Sequence, residues 1–160
     1  MRPHKRSREA IPVINARYAH LKLRIGRSKI HGWGVFAGET IPPGRKVIEY
    51  TGERIGRVET RRRILRICRQ PMRARTFYLV RLNLYWAIDA SRGGSGAERV
   101  NHSCEPNAKL RRLRGRVFVF SLKRIRSGEE LTIDYLYGEG PPYVPCHCGA
   151  RNCRGVINVK

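Results

Sequence analysis

Apolar and polar residues alternate over short stretches of this chain, a pattern typical of strands with one buried face. The clearest example is Leu21-Lys22-Leu23-Arg24-Ile25, and we expect Gly26 to end this strand. Asn83 and the pair Arg114-Gly115 predict two hairpin turns. Other short apolar runs predict strands at residues 35–37, 46–50, 77–82, 84–89, 108–113, 117–122 and 131–135.

One stretch, residues 57–70, has the apolar spacing of a helix. Ile64, Leu65 and Cys68 belong to a modest apolar face, where Cys68 is expected to pack as a small hydrophobic residue, and Pro71 follows the predicted end. The other faces carry arginines, which either lie on a phosphate backbone or form a solvated basic surface. One helix among many strands predicts a mainly β fold with minor α, an α+β class.

The length of 160 residues suits a single globular unit. We expect a basic, flexible N-terminal arm at residues 1–20, a main domain at 21–138 and a cysteine-rich segment at 139–160. Residues 91–98, rich in glycine and serine, predict a flexible connection. No apolar run has the length of a signal sequence or of a bilayer span, so we expect a soluble, intracellular protein with no membrane partner. We also expect a monomer.

The charge of the chain points to a polyanionic partner. It has 34 Lys and Arg residues against 12 Asp and Glu, a formal net charge of +22. Of these basic residues 27 are Arg, whose planar guanidinium suits phosphate groups. Nucleic acid is therefore a candidate partner. The alternative is a compositional bias that leaves a heavily solvated basic surface.

The densest polar stretch is Asn-His-Ser-Cys at residues 101–104, closed by Pro-Asn at 106–107. An amide, an imidazole, a hydroxyl and a thiol in four consecutive positions suit a ligand or metal site. A polar surface loop is the alternative interpretation.

Five cysteines make an odd set that does not suggest a disulfide framework. Cys146, Cys148 and Cys153 fall within eight residues, a density that metal binding explains and core packing does not. His147 is geometrically awkward as a fourth ligand, whereas Cys104 has no other assignment. We therefore predict a structural zinc held by four thiolates, with free thiols on a disordered tail as the alternative.

Five motifs occur in a recognisable order: His-Gly-Trp-Gly-Val-Phe-Ala at 31–37, Glu-Tyr-Thr-Gly-Glu at 49–53, Asn-His-Ser-Cys-Glu-Pro-Asn at 101–107, Gly-Glu-Glu-Leu-Thr-Ile-Asp-Tyr at 128–135 and Cys-x-Cys-x4-Cys at 146–153. Together they resemble the SET-domain protein lysine methyltransferases with a post-SET zinc-binding segment, over residues 21–160. The resemblance implies a SET-domain β-clip of short sheets with a pseudoknot-like C-terminal crossing. It also implies methyl transfer from S-adenosylmethionine to a lysine amine.

Roles for individual residues follow from the same resemblance. The residues that it implies for binding S-adenosylmethionine are His31, Gly32, Trp33, Tyr78, Asn101, His102 and, in the segment that caps the cofactor, His147. It implies Tyr135 as the catalytic tyrosine and Tyr78 as a tyrosine shared by the cofactor and lysine sites. The implied substrate is a protein with a target lysine, a histone or histone-like protein. The location is the nucleus in a eukaryote, or the cytoplasm and nucleoid in a bacterium.

Two departures from the family pattern concern the site. Glu98-Arg99-Val100 stands where members often have Arg-Phe-Ile, which reverses a charge near the cofactor pocket. Ile133 stands where many members have a Phe or Tyr that influences the number of methyl groups added. The alternative function is therefore a zinc-stabilised nucleic-acid-binding module on a catalytically degenerate SET scaffold.

Overall fold

The computed structural model describes residues 11–71, 75–137 and 143–159, and the first ten residues of the predicted basic arm lie outside them. The described chain contains ten strands and one helix. The strands are β1 (Leu23–Arg27), β2 (Trp33–Ala37), β3 (Lys46–Tyr50), β4 (Glu53–Gly56), β5 (Leu79–Arg81), β6 (Trp86–Asp89), β7 (Asn101–His102), β8 (Ala108–Leu113), β9 (Arg116–Ser121) and β10 (Thr132–Ile133). The helix is α1 (Arg57–Cys68), and a short 3-10 turn, Ala97–Arg99, precedes β7.

The strands of the described chain form four small sheets. β1 and β2 make an antiparallel pair, β9 lies between β3 and β8, and β6 lies between β4 and β5. β7 and β10 make a two-stranded parallel sheet. The prediction of a mainly β fold with minor helix is confirmed.

Both predicted hairpin turns are present. Oδ1 of Asn83 accepts hydrogen bonds of 2.9 Å from the backbone N–H groups two and three residues later, which turns the chain from β5 into β6. Arg114 and Gly115 have φ angles of 48° and 72°, the left-handed pair that a type I′ turn requires. This turn places Leu113 opposite Arg116 in the β8–β9 pair.

The main hydrophobic core packs against one face of the β3–β9–β8 sheet. On β9, Val117 and Val119 face the core and are fully buried, whereas Phe118 and Phe120 alternate with them on the opposite face. The other aliphatic side chains that are fully buried in this core include Val35, Ile41, Val47, Ile48, Ile125 and Leu131.

The β7–β10 sheet joins two segments that the β8–β9 hairpin separates along the chain. Asn101 is the partner of Thr132, and His102 is the partner of Ile133. Oδ1 of Asn107 also accepts a hydrogen bond of 2.8 Å from the backbone N–H of Thr132. The segments of the predicted pseudoknot-like crossing are therefore adjacent, and the threading itself stays a prediction.

Three local predictions are wrong. β1 continues through Gly26 to Arg27 because Gly26 pairs with Gly34 of β2. The helix ends at Cys68 rather than at residue 70, and none of its residues is buried, so Cys68 is exposed instead of packed.

In the described part of the chain, no helix combines the length and apolar character of a membrane span.

The second half of the connection at residues 91–98 is packed, whereas residues 91–93 are exposed. Ser95 is fully buried, and Ala97 belongs to the core. The backbone N–H of Asn15 donates to the carbonyl oxygen of Ser95 at 2.9 Å, and that of His20 donates to the carbonyl oxygen of Val47 at 2.8 Å. Residues 15–20 thus contact the domain, while the predicted boundaries after residues 20 and 138 stay predictions.

Candidate active site and metal centre

Four cysteines meet at one place, although Cys104 precedes Cys146 by 42 residues. The Sγ atoms of Cys104, Cys146, Cys148 and Cys153 all lie within 4.8 Å of one another. Sγ of Cys104 is 3.7 Å from Sγ of Cys146. In a tetrahedral zinc site with Zn–S distances of about 2.3 Å, neighbouring sulfurs are about 3.8 Å apart. The four thiols therefore fit a zinc ion.

The surroundings of Cys148 favour a thiolate, whereas burial raises the pKa of Cys104 and of Cys146. Burial alone would raise the pKa of Cys148, but the backbone N–H groups of Cys104 and Ala150 and the thiols of Cys146 and Cys153 lower this pKa to about 6. Further backbone N–H groups point at sulfur: those of residues 154 and 155 lie 3.4 Å from Sγ of Cys104 and Cys153, respectively. Amide donors of this kind stabilise negative charge on sulfur, as metal binding requires.

Asn101 connects the loop before β2 to the segment before β10. Its Nδ2 donates to the backbone oxygens of His31 and Trp33, both at 3.2 Å, and to Oε1 of Glu130 at 2.8 Å. Oε2 of Glu130 accepts a hydrogen bond of 2.9 Å from Oγ of Ser28 at the start of the same loop. Asn101 and Glu130 therefore hold this loop beside β7.

The same loop leaves polar groups open to a ligand. His31 and Gly32 are exposed, and Gly32 has a φ of 50°, which favours glycine. Nε1 of Trp33 is buried and has no hydrogen-bond partner among the described residues. The Arg27 guanidinium lies 4.1 Å from the centroid of the Trp33 ring. An open turn beside an unpaired indole N–H fits a ligand that carries hydrogen-bond acceptors.

His102 lies between the cysteine cluster and the chain after β10. Its Nδ1 accepts a hydrogen bond of 3.2 Å from the backbone N–H of Tyr135, and its Nε2 lies 3.4 Å from Sγ of Cys104. Burial lowers the pKa of His102, although Asp134, with Oδ1 3.5 Å from Nδ1, opposes this effect. Asp134 in turn accepts two hydrogen bonds, of 2.8 and 3.0 Å, from the guanidinium of Arg154.

Tyr135 lies in an aromatic cluster next to His102. Its ring centroid is 5.4 Å from that of His102 and 5.6 Å from that of Tyr137, which stacks on it. Its hydroxyl donates to the backbone oxygen of Val100 at 3.0 Å. Burial raises the pKa of Tyr135 well above its usual value near 10. The hydroxyl is therefore protonated at neutral pH and is unsuited to act as a general base.

Tyr78 is held by Arg99. Nη1 of Arg99 donates to the Tyr78 hydroxyl oxygen at 2.6 Å, and the guanidinium carbon lies 4.8 Å from the ring centroid. Tyr78 packs at the edge of the core, as Tyr135 does. Arg99 belongs to the 3-10 turn that precedes Asn101, so this turn holds the phenol of Tyr78 in place.

Glu98, which reverses a charge of the family pattern, is compensated within its own turn. Its Oε2 accepts a hydrogen bond of 2.9 Å from the backbone N–H of Gly96, and its Oε1 lies 3.8 Å from Nε of Arg99. Ile133, the second departure, is buried in the core. These contacts give Glu98 a structural role, and no described contact places its charge against the predicted cofactor residues.

Of the predicted site residues, the structure brings His31 and Trp33 to Asn101, and Tyr135 to His102, while His147 is exposed between two cysteines. Five residues of this region were not predicted: Tyr50, Arg99, Glu130, Tyr137 and Arg154. Tyr50 is buried, and burial with nearby Glu98 and Tyr135 raises its pKa. Tyr50 and Glu130 belong to the motifs at 49–53 and 128–135, and this position could have identified them as site residues. No pattern in the sequence indicated Arg154.

The SET domain family matches residues 32–136, which include Asn101, His102 and Tyr135. Histone-lysine N-methyltransferase set-2 of Caenorhabditis elegans is 37% identical over 140 residues, 85% of this chain and 9% of that protein. Human histone-lysine N-methyltransferase SETD1A is 36% identical over 154 residues, 94% of this chain and 9% of that protein.

A third relative is the Saccharomyces cerevisiae protein named histone-lysine N-methyltransferase, H3 lysine-4 specific. It is 37% identical over 139 residues, 82% of this chain and 13% of that protein. The chain thus spans 9% to 13% of the length of these three relatives. A family match over most of the chain, together with relatives of this identity, confirms the resemblance of the five motifs. The chain belongs to the SET-domain family.

Proposed function

We propose that this chain is a protein-lysine N-methyltransferase that transfers a methyl group from S-adenosylmethionine to a lysine side-chain amine. One observation carries the proposal. Asn101 and His102, adjacent in β7, contact the loop of His31 and Trp33 on one side and the backbone of Tyr135 on the other. Residues from three motifs that are distant in the sequence are thus brought together at β7. A reaction that aligns a methyl donor with a lysine acceptor requires such a convergence.

The residues present fit the cofactor. S-adenosylmethionine supplies a methyl group activated by a positively charged sulfonium. The exposed His31 and Gly32 and the unpaired N–H of Trp33 offer contacts beside Asn101 and His102, while the carbonyl oxygens of His31 and Gly32 accept from Asn101 and Ser28. Tyr78 and His147 complete the binding set that the family resemblance implies.

The aromatic cluster accounts for the acceptor side of the reaction. The lysine nitrogen would form the new bond to the methyl carbon with its lone pair as the methyl–sulfur bond breaks and leaves its electron pair on sulfur. The amine must therefore be neutral, although its reference pKa is about 10.4. Transfer from water to a site among Tyr78, Tyr135 and Tyr137 disfavours the ammonium form, because burial penalises charge. The Tyr135 hydroxyl stays protonated and orients the amine, while the ammonium proton passes to water before the amine is enclosed.

We assign Cys104, Cys146, Cys148 and Cys153 to a structural zinc ion. Four thiolates leave no open coordination position, so this metal orders the chain instead of binding substrate. Arg154, next to Cys153, binds Asp134 next to Tyr135, so residues 143–159 are held against the aromatic cluster. Zinc binding therefore orders the segment that covers the site.

The acceptor and location are inferred from the relatives, a nucleic acid partner is inferred from the charge, and the monomeric state stays a prediction. The three relatives described above are named histone-lysine N-methyltransferases, and one is named H3 lysine-4 specific. We infer that the acceptor is a histone or histone-like protein and that a monomer acts at chromatin in a nucleus. Because these relatives come from eukaryotes, the bacterial location is disfavoured. A net charge of +22 would repel a basic histone, and a nucleic acid partner would reduce this repulsion.

The test compares Tyr135→Phe with Tyr143→Phe, a change of the same chemistry at an exposed position. Transfer of labelled methyl groups to free histones and to nucleosomes is measured with zinc-loaded protein. We expect Tyr135→Phe to lose about 100-fold in kcat and Tyr143→Phe to keep wild-type activity. Equal labelling by both variants removes Tyr135 from its role. Absence of S-adenosylmethionine binding in calorimetry would instead favour the non-enzymatic nucleic-acid-binding module.

A further inference from the structure

The β8–β9 hairpin and its flanks carry an unusual concentration of positive charge. Between Pro106 and Gly128 the chain has eight basic residues and no acidic residue. The basic residues are Lys109, Arg111, Arg112, Arg114, Arg116, Lys123, Arg124 and Arg126, all of them exposed. None of them belongs to the candidate active site or to the cysteine cluster.

The outer face of the β3–β9–β8 sheet presents part of this charge in a defined arrangement. Lys46 of β3 and Lys109 of β8 are the cross-strand partners of Phe120, and Arg111 of β8 is the partner of Phe118. Directly paired residues project from the same face, so these three cations extend across three neighbouring strands. Strands lie about 4.8 Å apart, which places the charges within roughly 10 Å across the sheet.

Aromatic rings hold these cations in place. The Arg111 guanidinium carbon lies 4.9 Å from the centroid of Phe120, and Nζ of Lys46 lies 4.9 Å from the centroid of Phe118. Cation–π contacts of this kind restrict the side chains while their N–H groups stay exposed to solvent. Charges that are already restrained lose less conformational entropy when they bind a ligand.

The acidic residue on this face does not cancel the positive charge. Glu49 is opposite Phe118 and is 8% exposed. Its carboxylate accepts hydrogen bonds from Nε of Arg116, at 2.7 Å, and from Nη2 of the same residue. Lys46, Lys109 and Arg111 therefore remain available, and a shallow cavity lined by Arg45, Lys46 and Phe120 among others opens beside them.

The burial of the aromatic rings decides which form of polyanion fits. Phe118 and Phe120 are only 5% and 9% exposed. Proteins that bind single-stranded nucleic acid stack bases on exposed aromatic rings, and these two rings are covered. The face offers charges without stacking surfaces, which suits the phosphate backbone of a duplex.

We propose that the outer face of the β3–β9–β8 sheet binds the phosphate backbone of duplex DNA, without reading its sequence, through Lys46, Lys109 and Arg111. The choice of DNA rests on the proposed function, since the proposed acceptor is a chromatin protein. DNA bound to this face neutralises part of the charge that would otherwise repel a basic substrate.

The experiment measures binding of fluorescein-labelled duplex DNA by anisotropy over a series of salt concentrations. The test variant is Lys46→Gln/Lys109→Gln/Arg111→Gln. Its matched control is Arg61→Gln/Arg66→Gln/Arg69→Gln, which removes the same charge from exposed positions on and just after α1. We expect the sheet variant to raise Kd at least about tenfold and to lower the slope of log K against log salt by about 2 to 3. The control should change Kd less than about threefold.

Several outcomes would overturn the proposal. These are an equal or larger effect of the control, no salt-dependent binding by the wild type, or tighter binding of single-stranded DNA or duplex RNA than of duplex DNA. Cofactor binding by both variants verifies that they fold. Because anisotropy requires no methyl transfer, its result is independent of whether the methyltransferase assignment holds.

A measurement on the unaltered chain avoids any folding defect. Lysines are acetylated with and without duplex DNA, and modification is quantified by mass spectrometry. We expect DNA to protect Lys46 and Lys109 and to leave the exposed Lys29 unprotected. Protection of Lys29 without protection of the sheet lysines would place the DNA elsewhere and reject the proposed face.

Discussion

Nε2 of His102 lies 3.4 Å from Sγ of Cys104, so a predicted cofactor residue contacts a predicted zinc ligand directly. The other ring nitrogen of His102 accepts a hydrogen bond from the backbone of Tyr135. One imidazole thus links the metal centre to the aromatic cluster. A change in the thiolate cluster is therefore expected to alter the position of His102 and, through it, the cofactor site.

Replacement of Cys104 by serine tests this link. We expect Cys104→Ser to weaken zinc binding and to lower the affinity for S-adenosylmethionine by about tenfold or more, because the His102 contact and the order of residues 143–159 depend on the metal. Calorimetry of the cofactor with zinc-loaded protein measures the effect. Cys68→Ser is the control, since Cys68 is exposed and outside the cluster. Unchanged cofactor affinity in Cys104→Ser would contradict the coupling.

Glu130 is expected to position the loop of residues 28–33. Its carboxylate accepts hydrogen bonds from both Asn101 and Ser28, so Glu130→Ala removes the acceptor of the Ser28 hydroxyl and one of the three acceptors of Asn101, at a cost of about 1–3 kcal/mol. We expect the KM for S-adenosylmethionine to rise about tenfold while kcat at saturating cofactor changes less. Glu130→Gln should be milder, because its amide oxygen still accepts from Asn101. Glu105→Gln, at an exposed position, is the control. An equal rise in KM for Glu130→Ala and Glu105→Gln would reject a positioning role for Glu130.

Arg99 is expected to influence the protonation of the substrate lysine. Its guanidinium binds Tyr78, and a positive charge near an amine lowers the pKa of that amine. Arg99→Phe, which introduces the residue common in the family, should therefore move the rising limb of kcat against pH to higher pH, on the order of half a unit. Arg99→Lys keeps the charge and should keep the profile. Identical pH profiles for Arg99→Phe and the wild type would show that the guanidinium acts only as packing.

Asp89 is expected to contribute to stability in a pH-dependent way. Burial alone would raise the pKa of Asp89, but hydrogen bonds from Ser91 and Arg63, the latter at 2.5 Å, lower it below its usual value. A folded-state pKa below the unfolded value of about 3.9 stabilises the protein fully above that pH. The contribution is lost as the pH falls through the folded-state pKa.

Asp89→Asn tests this expectation by denaturant unfolding of zinc-loaded protein at a series of pH values. The variant should be about 1–3 kcal/mol less stable than the wild type at pH 7, and this difference should shrink on acidification. Acid release of zinc affects both proteins alike, so the difference between them isolates Asp89. Glu105→Gln should follow the wild-type curve. A stability difference that does not vary with pH would assign Asp89 a purely steric role.

Features that depend on neighbouring residues were predictable from the chain alone. The strand predicted at residues 117–122 formed as β9, and Asn83 and Gly115 produced the expected turns. The spacing of the last three cysteines also indicated a metal site. In each case the governing interactions lie within a few residues, where side-chain periodicity and backbone preference act directly.

Features that depend on distant contacts were not predictable in the same way. Gly26 continues a strand because Gly34 pairs with it, and the apolar positions of α1 stay exposed because no described element covers them. Asn101 bonds to the backbone of His31, 70 residues away, and Arg99 reaches Tyr78, 21 residues away. Such contacts form only when packing of the whole core offsets the entropy of closing the intervening loops, so local sequence preference cannot specify them.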